Sequence, residues 1–315
     1  MTLASAPGKV ILFGEHAVVS GIPALGCSVD LRARVIVEDL PGRTEVETNL
    51  PLAGFTLDLL AGQIRSHEAL HAARYVSAVL EELGANDLRI KVDSDIPPGA
   101  GLGSSAAIVV ATLAALSEHL GLGLPRAEIG EMAHRIEKSV QKGLGSPMDT
   151  ALATFGGYLQ VSSRVQELNL SPLALVIGHT GISHDTRAEV EKVQSLRARH
   201  PDLVDPIFEA IGLIAESAAY LIKELRLAEL GELMNINHGL LEALGVSSRE
   251  LSELIYAARG AGGALGAKLT GAGGGGCIIA LPGPAGATAL EIALRQAGGR
   301  VFHARTGGEG VRLGA

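Results

Sequence analysis

Residues 95–107 read D-I-P-P-G-A-G-L-G-S-S-A-A, and this stretch restricts the fold more than any other in the chain. Glycines at alternate positions, Gly99, Gly101 and Gly103, admit left-handed backbone angles that other residues avoid, so several amides can turn toward one point. Two serines follow, then an apolar, Ala-rich run over 106–116. The pattern predicts a helix over 104–119 with Ser104 as its N-cap. A glycine-rich turn feeding a helix N-terminus gathers N–H groups and the positive end of the helix dipole into an anion site, and phosphate is the obvious anion. The plain alternative is an ordinary turn, because glycines mark those too. The usual P-loop is excluded, since no Lys follows these glycines. The relaxed dinucleotide fingerprint fits Gly101, Gly103 and Ala106, but Pro97 and Pro98 interrupt the turn after the strand-like 88–92. The region holding Glu128, where an acidic strand end would be needed, reads as helix. A nucleotide phosphate fits; a nicotinamide dinucleotide does not.

The rest of the chain sets the scale. With 315 residues, 47% of them hydrophobic, it can build one large or two moderate domains with ample core. Acidic residues outnumber basic ones 34 to 26, and no basic block appears, which argues against a nucleic-acid partner. The longest apolar run is far too short to span a bilayer. Residues 10–13, V-I-L-F, are followed at once by Gly14, Glu15 and His16, a poor signal peptide. Cys27 and Cys277 lack metal-ligand spacing and sit in apolar surroundings, as buried reduced thiols do. A cytoplasmic protein without membrane contact is expected.

Periodicity and turn residues predict strands over 10–19, 32–39, 88–92, 158–161 and 173–178, and helices over 69–83, 104–119, 126–141 and 188–199. Residues 206–260 read as helix almost without pause. Strands over 267–269, 277–281 and 301–304 and a helix over 285–297 close the chain. Texture changes near 165–172, which divides the chain into domains 1–168 and 169–315.

Two more segments carry chemistry. Residues 270–276, T-G-A-G-G-G-G, hold four consecutive glycines, which are costly in chain entropy and suit a backbone that must approach something closely; the alternative is a loose hairpin. The N-terminal P-G-K-V-I-L-F-G-E-H-A-V-V-S-G places Lys9, Glu15 and His16 around an otherwise apolar strand. Taken singly, such groups are more often solvated ends or satisfied core residues.

Taken together and in this order, the three segments resemble the motifs of the small-molecule kinase superfamily of galactokinase, homoserine kinase, mevalonate kinase and phosphomevalonate kinase. The mevalonate kinase branch is the nearest, through P-P-G-A-G-L-G-S-S-A-A, K-L-T-G-A-G-G-G-G-C and the stretch M-N-I-N-H-G-L-L-E-A-L-G-V at 234–246. A galactokinase would show Thr-Asp after its Glu-His, where Ala17 and Val18 stand. The resemblance implies an α+β, two-domain kinase fold: a ribosomal-protein-like N-terminal domain with a left-handed crossover, a ferredoxin-like C-terminal domain, and the active site in the cleft between them. It implies ATP-dependent phosphorylation of the 5-hydroxyl of mevalonate in isoprenoid precursor synthesis, with Mg²⁺ as cofactor and a homodimer as the assembly.

The resemblance also assigns roles. Pro98, Gly99, Ala100, Gly101, Leu102, Gly103, Ser104 and Ser105 would bind ATP, and Ser105 and Glu137 would hold the metal; a Glu at 137 alone would pass for a solvated helix residue. Asp149, in G-S-P-M-D-T-A, would be the catalytic base, against the competing reading of a helix cap. Its segment is spelled differently from animal relatives, with one extra residue between Glu137 and the Asp. Lys9 would lie beside Asp149 and make the attacking hydroxyl more acidic by its charge. Glu15, His16 and Thr180 would face the substrate. Phosphomevalonate as substrate would need extra cations, for which Arg187, Lys192 and Lys142 are at hand. A non-catalytic nucleotide-binding regulator would be expected to have lost the base or the metal ligand, and both are present.

Overall fold

A computed structural model describes residues 1–48, 55–58, 67–143, 145–162, 164–183 and 185–314, so Leu144 and His184 lie outside the described residues. The elements run β1 (Thr2–Phe13), β2 (Ala24–Asp39), β3 (Glu45–Thr48), β4 (Phe55–Asp58), α1 (His67–Leu83), β5 (Leu88–Ser94), α2 (Ser104–His119), α3 (Arg126–Val140), α4 (Pro147–Phe155), β6 (Tyr158–Val161) and β7 (Val165–Leu168). The chain then crosses to β8 (Ala174–His179), α5 (Thr186–Arg199), α6 (Pro201–Lys223), α7 (Leu227–Ala243), α8 (Arg249–Gly260), β9 (Ala264–Thr270), β10 (Cys277–Pro282), α9 (Ala287–Gln296) and β11 (Arg300–Arg305). It returns as β12 (Arg312–Leu313).

Two sheets organise these elements, which makes the class α+β. The first, in order β12-β1-β2-β5-β3-β4, carries β6 and β7 beside the start of β2. The second is antiparallel, in order β11-β8-β10-β9. Helix α2 is buried along its whole length from Ala106 to Ser117. Its small, apolar residues leave it no polar face, so it can only sit inside a core, where it meets β1, β2, α1, α3 and α4. In contrast, α8 is amphipathic and buries only Leu251, Leu254, Ile255 and Ala258 against the second sheet.

The two sheets meet at the end of β1. The Ile11 amide donates to Thr270 Oγ1 at 3.1 Å, and that hydroxyl donates back to the Ile11 carbonyl at 2.9 Å. Further along, a buried Arg32 donates to the carbonyls of Ser5, Glu309 and Gly310, which pins the C-terminal segment onto β1 and β2.

Two local expectations need correction. The strand expected over 10–19 starts earlier, at Thr2, and ends at Phe13. There Gly14 (φ 101°) and His16 (φ 63°) turn the chain back through a short 3₁₀ turn, Ala17–Ser20, toward β2. A Cβ at Gly14 would lie 2.3 Å from Ala24, so only glycine lets β1 and β2 close here. Ser104 is not the N-cap of α2. Gly103, left-handed at φ 74°, occupies that place, and no side chain caps the helix.

Candidate active site

The phosphate-type loop owes its shape to alternation. Gly99, Gly101 and Gly103 all adopt φ between 67° and 76°, while Ala100 and Leu102 between them are buried. Apolar anchors thus alternate with left-handed glycines, and the loop is held rather than slack. With neither a side-chain cap nor an acidic residue in its first turn, α2 presents uncapped amides at its N-terminus. Lys9 runs directly beneath. Its amide donates to the Leu102 carbonyl at 2.9 Å, and a Cβ at Gly103 would come within 2.8 Å of Lys9 Cγ.

Lys9 Nζ lies 3.2 Å from Asp149 Oδ2, with both side chains largely withdrawn from solvent. Asp149 stands in the first turn of α4, where Pro147 opens the helix and Ser146 is the N-cap. The Ser146 hydroxyl donates to Asp149 Oδ1 at 2.8 Å. One oxygen is therefore fixed by the cap and the other is presented to Lys9. Asp149 belongs to the capping motif without being the cap.

Opposite them, the Ser105 hydroxyl donates to Glu137 Oε1 at 2.7 Å and the Gln141 amide donates to the same oxygen at 3.0 Å. Glu137 Oε2 is buried and has no hydrogen-bond partner. Burial, reinforced by the charge of Asp149, pushes the Glu137 carboxyl up to about 7. No group of three or more His, Cys, Asp or Glu that could hold a metal occurs among the described residues. A hard cation that takes one or two protein oxygens and completes its shell with phosphates and water suits this donor set. Ser105 and Glu137 fit such an ion, with Oε2 the open oxygen.

The substrate-side expectations divide. His16 is buried; its Nε2 lies 2.8 Å from the Ala272 carbonyl. A carbonyl can only accept, so Nε2 carries the proton and Nδ1, which has no partner, is a bare acceptor. Burial lowers the pKa of His16 and favours this neutral form. Thr180 is half-buried and donates to the Gly276 carbonyl at 3.1 Å. His16 and Thr180 thus grip the two ends of the third glycine loop. Glu15 is instead deep in the interior, with one oxygen on Lys268 and the other 3.4 Å from Asn237 Nδ2. Arg187 is exposed and donates to the Lys142 carbonyl at 3.2 Å. Lys192 is tied to Glu189 and to the Gly245 carbonyl.

The third loop is no loose hairpin. The Gly274 amide donates to Val246 O at 2.8 Å and the Gly276 amide to Ile182 O at 2.9 Å. Cβ atoms at Gly273, Gly274 and Gly275 would strike Val246, Glu189 and Ile182. Four glycines are needed because three neighbours close in on one backbone.

Lys268 and Asn237, which lie in the stretches 268–277 and 234–246, and Gln141 receive no role from the sequence. Only Gln141 left a signal, since position i+4 from Glu137 on one helix lies on the same face.

Comparison with known proteins adds to this geometry. Residues 69–157 match the GHMP kinases N terminal domain and residues 218–308 the GHMP kinases C terminal domain. The mevalonate kinase of Pyrococcus horikoshii is 42% identical over 328 residues, covering 99% of this chain and 97% of its own. The crystal structure of L. major mevalonate kinase in complex with R-mevalonate superposes with a TM-score of 0.84 at 27% identity, covering 97% of this chain and 96% of that one. Methanococcus jannaschii mevalonate kinase superposes at 0.83 with 28% identity, covering 96% and 98%.

Proposed function

The chain belongs to the mevalonate kinase family of the GHMP kinases, and from that premise we propose a residue-level account of how it phosphorylates mevalonate at the 5-hydroxyl at the expense of ATP. The observation that carries the account is the facing of two units at the mouth of one glycine loop: the Lys9–Asp149 pair and a Glu137 carboxylate with one oxygen open.

The N-terminal domain, 1–168, would supply the phosphate loop, the metal ligands and the base, and the C-terminal domain, 169–315, would supply Thr180 and the third glycine loop. Amides from Pro98 to Ser105 would cradle the phosphates. Ser105 and Glu137 would hold Mg²⁺, which when bound neutralises charge on the transferring phosphoryl group. Asp149 Oδ2 receives the proton of the 5-hydroxyl as that oxygen attacks the γ-phosphorus and the bond to ADP breaks. Ser146 keeps Oδ1 from turning into the proton's path. Lys9 stabilises the developing alkoxide by charge. His16 Nδ1 is poised to accept a substrate hydroxyl, because nothing else satisfies it.

Substrate choice follows from cations. A phosphorylated substrate buries a dianion that needs partners of its own. Lys9 is engaged with Asp149, and Lys192 with Glu189 and Gly245. Arg187, on the surface beside the turn after α3, suits the single carboxylate of mevalonate.

A coupled ADP-release assay tests both parts. Asp149→Asn should lower kcat by at least ~10²-fold while ATP binding and melting temperature stay near wild type. Phosphomevalonate should give a kcat/KM at least ~10²-fold below that of mevalonate. Near-wild-type turnover by the variant would remove Asp149 as base; comparable rates on the two substrates would overturn the cation argument.

A further inference from the structure

Among the described residues, five that are not glycine hold a left-handed backbone angle: His16, Asp87, Lys142, Leu225 and Ala285. Four of them are exposed, as residues at the tips of turns are, and only His16 is buried. At φ 63° and ψ −46°, with the Ala17 amide donating to the Glu15 carbonyl at 2.7 Å, His16 is the centre of a γ-turn of the rare, strained kind. Glycine would sit there without strain. Such a conformation persists only where the surroundings over-determine it.

The surroundings that do so are β9, α7 and the third glycine loop. His16 Nε2 donates to the Ala272 carbonyl at 2.8 Å. One residue earlier, Glu15 turns inward onto the Lys268 ammonium, and its second oxygen lies 3.4 Å from Asn237 Nδ2. Lys268 stands in β9 opposite Ile279 of β10, and its ammonium also donates to the Leu269 carbonyl at 2.7 Å. The lysine is thus fixed to the strand that leads into the glycine loop, and positions 268 and 272 grip consecutive residues of the turn. A wholly buried ion pair is no better for stability than an apolar pair of the same volume. What it supplies is direction. Glu15 meets the ammonium with its backbone in one orientation, whereas an apolar joint admits several. Fixing Glu15 fixes the peptide that follows and so the ring of His16. On that ring Nδ1 is buried and, among the described residues, has no partner.

We propose that Lys268 is a positioning residue for mevalonate binding: its ion pair with Glu15 holds the γ-turn at His16, so that Nε2 stays on the Ala272 carbonyl and Nδ1 stays open to a substrate hydroxyl. The proposal rests on His16 as a substrate contact and adds the device that aims it.

Steady-state ADP release with mevalonate as the varied substrate tests this. Glu15→Leu with Lys268→Met fills the joint with apolar volume and removes the direction. The KM for mevalonate should rise about tenfold, the size of one hydrogen bond to a substrate hydroxyl, while the KM for ATP and the melting temperature stay near wild type. His16→Ala should raise the mevalonate KM by a similar factor. Combining all three substitutions should add nothing further, because the pair acts only through the ring. Glu15→Gln keeps the shape and drops the charge. It carries the same test where the double variant does not fold, with a mevalonate KM expected about threefold higher. If His16→Ala is impaired while the double variant, or Glu15→Gln in its place, keeps the wild-type KM for mevalonate, the positioning role is overturned and the substrate contact stands. If His16→Ala itself keeps the wild-type KM, the contact fails and the proposal with it. Effects that multiply in the triple variant, or a parallel rise in the KM for ATP, would also overturn the proposal, since the pair would then act through something other than His16.

Discussion

Glu15 and Glu137 are both about 1% exposed, yet their surroundings are opposite. Glu15 is saturated: Lys268, itself wholly buried, meets one oxygen, and Asn237 reaches the other. The Lys268 ammonium also donates to its neighbour's carbonyl, Leu269 O, and lies 5.7 Å from the ring of Phe13. Among the described residues Glu137 has no cation in contact; two neutral donors share one oxygen and the second oxygen has none. A buried carboxylate that is fully paired joins parts of a fold, here the turn after β1 to β9 and α7. One that is left half-satisfied is costly by itself and makes sense only if something arrives to complete it. The contrast gives each residue a different expected response to substitution.

Lys268 should show the largest effect. Lys268→Ala strands the Glu15 charge in a dry joint, and breaking such a pair from one side costs about 3–5 kcal/mol. Burial already lowers the Lys268 pKa, so without its partner the ammonium has little reason to be there. Urea unfolding of Lys268→Ala measures the loss. The double variant Glu15→Leu with Lys268→Met should recover most of it, because an apolar pair of similar volume replaces the ions. A loss below about 1 kcal/mol in the single variant would erase the distinction between the two glutamates.

Glu137 should respond in the opposite direction. Its carboxyl is raised from the ordinary 4.5 to about 7, so the folded state holds the proton more tightly than the unfolded chain does. Stability is then highest below about pH 4.5 and falls as pH rises through 7. Glu137→Gln resembles the protonated form at every pH. In metal-free buffer the variant should match wild type below pH 4.5 and exceed it above pH 7, by at most about 3 kcal/mol. Unfolding curves of both proteins across this range check the sign. A gap that is flat with pH, or one that favours wild type at pH 8, would mean that Glu137 is satisfied after all. Since the mutation removes a proposed ligand, higher stability should come with a higher Mg²⁺ requirement for turnover.

How much of this could be read beforehand depends on sequence distance. The loop over 99–103 was legible because its glycines and buried apolar residues alternate within a few positions. Helix α2 was legible because its composition admits no other placement. Asp149 and Lys9 came from motif resemblance, and their 3.2 Å separation is a tertiary fact that no local pattern encodes. The end of β1 was misread because V-I-L-F and A-V-V both favour strand, while the close approach of Ala24 to Gly14 decides the turn. Ser104 was misread as a cap because serine usually outranks glycine there, whereas the left-handed angle at that position requires Gly103. The Glu15–Lys268 pair is hidden for a simpler reason: its members stand 253 residues apart in the chain.

The smallest expected effect separates filling space from keeping it open, this time at two glycines of the phosphate loop. Gly99 and Gly103 have similar left-handed angles, 67° and 74°. Alanine at either position therefore carries the same backbone penalty, about 1 kcal/mol. Their surroundings differ. A Cβ at Gly99 meets only Ser183 Cβ at 3.6 Å, an ordinary contact, whereas a Cβ at Gly103 overlaps the Lys9 side chain at 2.8 Å. Lys9 can yield only by moving its ammonium, which sits on Asp149 Oδ2. Both variants should lose a similar, small amount of stability, and only Gly103→Ala should lower kcat, by about tenfold for a reacting group displaced by a fraction of an ångström. Melting curves and the ADP-release assay on the two variants decide it. Equal kcat would show that the Lys9 stem absorbs the methyl group without shifting its charge, and the close approach of loop and strand would then be packing alone.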